Sequence, residues 1–304
     1  MSSYFIFDAQ SRHQHYLERY KTGEINRLNP FLKQLEARLI KRLSGQQTFR
    51  SRQRTLNVLK SIYEDSLTSL DEYTAQLLLN LESFGEAEAE FTAKTISKGL
   101  AVETTLPATE QIIAAAKARP FNSKLLRDEL KDFPVQQARY IRNSVATGFA
   151  EGRTNQQIIA DVIGTSELKF KDGDIQLTRN TAKRLVHTSI QHTAAVAQQE
   201  TYKKNSDIVK QYAWVSTLDS RTSPTCQKRD GQVYTVGKGP LPPAHPNCRS
   251  TTTPVFKGET TMVDGVERLD LETGTRSSKG TSGGRQVSIK NNYNTWLSKQ
   301  SKAF

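Results

Sequence analysis

From Leu56 to Leu77 apolar residues return every three or four positions with one step of five, at Leu56, Leu59, Ile62, Leu67, Leu70, Tyr73 and Leu77, and neither proline nor glycine breaks the run. This spacing follows the 3.6-residue period of an α-helix that carries one apolar stripe. A chain built around such a segment must give it partner helices. The expected fold class is therefore mainly α: an elongated helical N-terminal region, then a small loop-rich α+β module and a flexible C-terminal tail.

The neighbouring segments extend the pattern. A helix is predicted from near Pro30 through Phe31, Leu35, Leu39 and Ile40, with Gly45 ending it. Another follows Pro107, carrying Ile112, Ile113, Ala116 and Ala118, until Pro120 stops it. Phe133-Pro134 is expected to open a helix with Ala138, Ile141, Val145 and Phe149 on its stripe and Gly152 beyond its end, where a positive φ is needed. Thr154 and Gln157 have capping-box spacing ahead of Ile158, Ile159, Val162 and Ile163. A long helix then runs from about Leu177 to Lys204, with Ala182, Leu185, Val186, Ile190, Ala194 and Val196 on its apolar side.

The character changes near residue 208. Ile208-Val209 and Tyr212–Val215 read as strand, rich in β-branched and aromatic residues, and a second short strand is predicted at Gln232–Val236. Residues 277–285, SSKGTSGGR, have the composition of a flexible linker. Tyr293 to Lys299 reads as a short amphipathic anchor holding Trp296 and Leu297, suited to a groove on a partner or to the chain's own module. The expected boundaries are 1–130 for a helical region without motif, 131–207 for a second helical part, 208–256 for the α+β module and 257–304 for linker and anchor.

Charge and cysteine count narrow the class. Lys and Arg total 43 against 31 Asp and Glu, a net charge of +12, which attracts polyanions at long range. Arg50 and Arg54 lie at i and i+4, so one helical face could touch phosphates without reading sequence, or meet an acidic protein neighbour. No stretch approaches the roughly 18–20 apolar residues that span a bilayer, and no secretion signal is read at the N-terminus. A cytoplasm-like compartment is expected, with no membrane partner. Two cysteines, Cys226 and Cys248, make no disulfide scaffold.

The most informative stretch is WVSTLDSRTSPTCQKRDGQVY (214–234) followed by PLPPAHPNCRS (240–250). Trp214 stands at a strand end and Asp219 opens a turn that Arg221 and Thr222 can brace. Asp230-Gly231 signals a tight turn into a strand. A proline-stiffened loop with Pro246 delivers His245 and Cys248 three residues apart, and with Cys226 they offer three ligands suited to zinc. Asp219 and Asp230 are the candidates for a fourth. The alternatives are a metal-free knuckle held by hydrogen bonds and Trp214 packing, for which no cofactor is expected, and a Cys226–Cys248 disulfide, which a cytoplasmic setting disfavours. His187 and His192, five apart on one helix, point to different faces and suggest ordinary surface or packing roles.

The pattern W-x-S-x-x-D-x-R-T-x-P-x-C, then D-G-x-x-Y, then P-P-x-H-P-N-C-R resembles the C-terminal module of the phage Mu F-like minor head protein family. The matching positions are Trp214, Ser216, Asp219, Arg221, Thr222, Pro224, Cys226, Asp230, Gly231, Tyr234, Pro242, Pro243, His245, Pro246, Asn247, Cys248 and Arg249. FAEGRTNQQII (149–159), the helix around Arg184–Ala195 and YNTWLSKQ (293–300) extend the resemblance to roughly residues 135–300. It departs at Ser223 and Ser250, where family members commonly carry cysteine, and at His187 and Ser189, where Arg and Glu are usual. Any ion pair from that helix to the module must be replaced or absent.

The resemblance implies a minor head or capsid protein of a tailed bacteriophage. It would sit inside the head near the portal, be present in the host cytoplasm during assembly, and act in head morphogenesis or genome delivery. Implied partners are the portal protein, capsid or scaffold proteins and packaged double-stranded DNA bound without sequence preference. On this reading the chain is not an enzyme. Two other readings compete: a DNA- or RNA-cleaving enzyme using Asp219, Arg221, His245 and Arg249, and a non-specific DNA-binding protein ejected with the genome.

Overall fold

The computed structural model describes residues 3–44, 51–121, 124–281, 283–290 and 292–301. Helices α1 (Ser3–Arg27), α2 (Asn29–Ser44), α3 (Arg52–Leu100) and α4 (Thr109–Ala118) come first. A minimal hairpin, β1 (Pro120–Phe121) and β2 (Lys124–Leu125), precedes α5 (Leu126–Ala150), α6 (Asn155–Ile163) and α7 (Asp174–Lys204). Then follow β3 (Gln211–Val215), β4 (Leu218–Asp219), α8 (Pro224–Arg229), β5 (Val233–Thr235) and β6 (Thr251–Val255). β7 (Thr260–Val263), β8 (Val266–Leu269), β9 (Thr275–Gly280), β10 (Gly283–Ser288) and α9 (Tyr293–Leu297) complete the order. The class is mainly α with a small strand-bearing C-terminal module, as the periodicity predicts. No helix among the described residues is long and apolar enough to cross a membrane.

The chain gathers into two compact units: Lys21–Asn80 with Leu126–Val186, and Met1–Tyr20 with Leu81–Leu125 and His187–Phe304. In the first, α2 buries Leu32, Leu35, Leu39 and Leu43, one stripe of the expected helix, and packs on α6. Arg42 ties it to Asp65 at 2.9 Å. Gly45, expected to end α2, and Arg50 lie outside the described residues. The predicted stripe of α3 is buried at Leu59, Ile62, Leu70, Tyr73 and Leu77, but Leu56 is exposed.

Phe133-Pro134 does not open a helix. α5 already starts at Leu126 and carries Pro134 inside it. Leu126, Leu130 and Phe133 are all buried, and Asp128 and Glu129 favour the positive end of the helix in its first turn. This burial offsets the roughly 3 kcal/mol an interior proline costs. The end of α5 follows expectation: Gly152 has φ +72°, the Arg153 N–H bonds to the Gly148 carbonyl at 3.0 Å and the Gly152 N–H to Phe149 at 3.2 Å, a Schellman closure. Thr154 and Gln157 form the reciprocal capping box of α6.

In the second unit the C-terminal half of α7 is the centre. Every residue from Thr188 to Tyr202 is buried, including Gln191, His192, Gln198, Gln199 and Glu200. The apolar stripe read from the sequence is therefore only one side of a helix enclosed all round. Its polar residues bond inward: Gln198 reaches Gln10 and Thr251, at 3.1 and 3.3 Å, and His192 meets the Ala116 carbonyl at 2.9 Å.

β3 is the middle of an antiparallel sheet ordered β5-β3-β6, with Trp214 opposite Thr252 and Tyr212 opposite Pro254. Pro254 is tolerated because β6 is an edge strand. Ile208 and Val209 precede the sheet without joining it; Val209 packs with Tyr202, Tyr212 and Ile96 instead. Where a flexible linker is expected, residues 277–280 of β9 pair antiparallel with β10, which begins at Gly283, and β9 runs parallel to β4. The reason is visible on β9: Arg276 and Ser278 are buried at alternating positions while Thr275, Ser277 and Lys279 are exposed.

Candidate functional site

The residues singled out between 214 and 250 converge at the end of β3. The Trp214 indole, fully buried, donates to Ser216 Oγ at 2.9 Å. Ser216 Oγ donates to the Cys226 carbonyl at 2.8 Å and lies 3.3 Å from Ser250 Oγ, which links three segments through one hydroxyl. The Arg229 guanidinium stacks over the Trp214 ring at 5.1 Å.

Both carboxylates of the motif are held. Asp230 is completely buried and accepts from the Ser216 N–H at 2.8 Å, the Tyr293 N–H at 2.8 Å and two nitrogens of Arg276 at 2.9 and 3.1 Å. Gly231 then turns the chain with φ +78°, a conformation costly for a side-chain-bearing residue, and bonds back to the Trp214 carbonyl at 2.8 Å. Asp219 accepts a fork from Arg249 at 2.6 and 2.7 Å and the Arg221 N–H at 3.0 Å. Burial alone would raise the Asp219 carboxyl, but the hydrogen bonds and charge of Arg249 hold it below the ordinary carboxylate value. Thr222 Oγ1 adds a contact at 3.3 Å.

The Cys/His loop forms the third part. Ser223 caps α8 by accepting from the Cys226 N–H at 3.4 Å, and Pro224 follows it at the start of the helix. Asn247, at φ +59°, turns the chain so that His245 and Cys248 face Cys226. Cys226 Sγ is 3.3 Å from His245 Nε2 and 3.7 Å from Cys248 Sγ. Both cysteines are free and buried, so the disulfide alternative is not the observed state. The Cys226 thiol is raised by its hydrogen bond to Cys248 and by burial. Cys248 is in turn held well below the usual thiol range. His245 is raised, chiefly by the Cys248 sulfur.

Asp219 and Asp230, expected as fourth ligands, do not join this cluster; among the described residues it holds Cys226, His245 and Cys248 alone. The reason is that each carboxylate already has an arginine. Of the four residues of the nuclease reading, Arg249 forks onto Asp219, the Arg221 guanidinium lies 3.7 Å from the same carboxylate, and Arg221, Arg249 and His245 line one small cavity. Arg54 is exposed on α3. Trp296, 2% exposed, packs with Leu218 and Tyr293 of its own module, while Leu297 is 37% exposed.

Several residues that build the site carried no signal in the sequence. Arg276 and Tyr293 come from the segment that reads as linker and tail, and only the need of a buried Asp230 for a cation hints at the first. Gln191 bonds the Ser250 carbonyl at 2.8 Å, and Thr188 Oγ1 accepts from the Asn247 N–H at 3.4 Å. These neutral bonds join α7 to the loop. A cleft of about 580 Å³ lies alongside, lined by Arg12, His15 and Glu18 of α1 and by Arg221, Arg249, Arg276, Lys279 and Arg285.

Residues 139–253 match the family described as Phage Mu protein F like protein. The chain carries a phage Mu F-like domain. The family is one of phage head morphogenesis, and the domain spans the end of α5, α6, α7 and the sheet that holds Trp214. Two curated proteins are similar to this chain at low identity. An uncharacterised protein of Haemophilus influenzae is 23% identical over 139 residues, 44% of this chain and 28% of its own length. A protein of Enterococcus faecalis named NAD(+)--arginine ADP-ribosyltransferase EFV is 26% identical over 156 residues, 46% of this chain and 30% of its own. The chain thus spans less than a third of either relative. No solved structure matches it. The Mu F-like domain ends at residue 253, yet its buried Asp230 is completed by Arg276 and Tyr293 from beyond that limit.

Proposed function

We propose that the chain is a minor head protein of a tailed bacteriophage, an assembly component that sits inside the head near the portal. The observation that carries this reading is the Mu F-like match over residues 139–253, whose charged motif residues are engaged in holding the domain together. Asp219 and Asp230 serve as anchors for Arg249 and Arg276, which suits a rigid knob presented to neighbours better than an open catalytic centre. The portal protein and capsid or scaffold proteins are its partners during assembly in the host cytoplasm. Packaged DNA is the polyanion that the net charge of +12 attracts.

Quantitative mass spectrometry of purified virions and of particles emptied of DNA tests the reading. Retention at a few copies per particle supports an assembly role at the portal or inner capsid. Absence from both preparations overturns it. A second reading, a DNA-binding protein delivered with the genome, is favoured by Lys279 and Arg285 along the 580 Å³ cleft, where Arg12, Arg249 and Arg276 are already paired with Asp8, Asp219 and Asp230. Loss of the protein with the DNA, and DNA affinity that falls steeply with salt whatever the sequence, would select it.

A further inference from the structure

We infer that Cys226, His245 and Cys248 hold one zinc ion, with a water molecule as fourth ligand. Two sulfurs and an imidazole nitrogen converge here, all within 4.8 Å of one another. Zinc bound tetrahedrally at about 2.3 Å from sulfur and about 2.0–2.1 Å from nitrogen sets its ligands about 3.8 Å (S···S) and about 3.6 Å (S···N) apart. The observed separations are 3.7 Å between the sulfurs and 3.3 Å from Cys226 Sγ to His245 Nε2. A disulfide would need the sulfurs at about 2.05 Å.

The surroundings prepare each donor. His245 Nδ1 lies 2.9 Å from the Pro246 carbonyl, and that oxygen can only accept. The ring proton therefore sits on Nδ1, and Nε2 presents its lone pair to the two sulfurs. Orientation of a ligating histidine by a backbone carbonyl is a common support for bound zinc. A dication with two thiolates is neutral overall, so the ion can be buried without an uncompensated charge. A cavity of about 10 Å³, lined by Ser223, Cys226, His245 and Ser250 among others, is about the size of one water. Asp219 and Asp230 are bound to arginines, and among the described residues no carboxylate joins the cluster to serve as a general base. The role of the zinc is to fasten α8 to the loop ending at Cys248.

The test uses the full chain purified without chelator or added metal. Its zinc content is measured by plasma mass spectrometry, and the metal-stripped, reduced protein is then titrated with cobalt(II). The expected result is one zinc per chain. With cobalt, a sulfur-to-metal charge-transfer band and intense tetrahedral d–d bands should appear and be bleached by zinc. His245→Ala and Cys248→Ser should lose the retained zinc. Because either variant could unsettle the fold, Ser250→Cys supplies a gain of signal: Ser250 lines the same small cavity as Cys226 and His245. A third thiolate there should increase the charge-transfer absorption. Wild-type protein that retains no zinc and gives no cobalt–thiolate band overturns the site. So does formation of a Cys226–Cys248 disulfide while zinc is in excess.

Discussion

Arg249 grips both carboxylate oxygens of Asp219, at 2.6 and 2.7 Å, across thirty residues of sequence. Asp219 is 5% exposed and the Arg249 side chain 17%, so the pair is geometrically fixed and mostly buried at the edge of the cleft. Removing one member leaves the other buried and uncompensated, which costs about 3–5 kcal/mol. Asp219→Ala and Arg249→Ala should each lower unfolding stability by about that amount, and the double variant should lose much less than their sum. Chemical denaturation of the three variants checks this. Arg249→Lys should recover little, since one ammonium cannot make a fork. Additive losses would show that the pair is not coupled.

The tail supplies a second expectation. Trp296 packs against Leu218 and Tyr293, and the Tyr293 hydroxyl donates to the Asp219 carbonyl at 2.8 Å. Trp296→Ala should therefore destabilise the domain by about 3–5 kcal/mol, in the range for a buried aromatic. Leu297→Ala, at a half-exposed position, should cost less than about 1 kcal/mol. Equal effects at the two positions in urea unfolding would contradict the self-docked tail.

Gly99 sits inside α3, where alanine is normally better by about 1 kcal/mol. A Cβ added there would stand 2.3 Å from Ile6 Cγ1 and 2.6 Å from its Cδ1. Ile6 is fully buried. Gly99→Ala should thus destabilise by about 1–3 kcal/mol, against its helix propensity. Combining it with Ile6→Val, which removes the second clashing carbon, should recover part of the loss. A thermal melt that rises on Gly99→Ala alone would refute the close approach of α1 and α3.

The period of 3.6 made the helices legible, and capping chemistry made some of their ends legible too. Thr154, Gln157 and Gly152 act through neighbours within a few residues, so their roles could be read locally. Pro134 misled because local backbone cost was weighed without the burial of Leu126 and Leu130 before it. The motif between Trp214 and Arg249 could be named, but its wiring could not. Asp230 finds Arg276 and Tyr293 more than forty residues away, and nothing in SSKGTSGGR announces a strand anchored by a buried arginine. The polar half of α7 was opaque for a related reason. Glutamine and threonine look solvent-facing until distant segments, such as Gln10 and Thr251, arrive to bond them.

His192 lies in that enclosed stretch of α7. Burial lowers its imidazole from the usual 6.5 to about 4, and the charge of Arg119 adds to this against the opposing bond to the Ala116 carbonyl. The folded protein therefore keeps His192 neutral at pH values where the unfolded chain would protonate it. Between about pH 6.5 and 4 the unfolded state binds the extra proton, so stability is full above that window and falls as the pH drops through it. A gap of this size corresponds to about 3 kcal/mol across the window. The depressed carboxyl of Asp219 acts only at lower pH, since its stabilisation is lost below the ordinary carboxylate range. His192→Gln keeps a side-chain N–H for the Ala116 carbonyl but cannot titrate. Unfolding free energies measured from pH 7 to 4.5 should slope downward for the native chain and more gently for His192→Gln. Parallel slopes would mean that His192 is already protonated in the fold, or that its pocket opens to water before the protein unfolds.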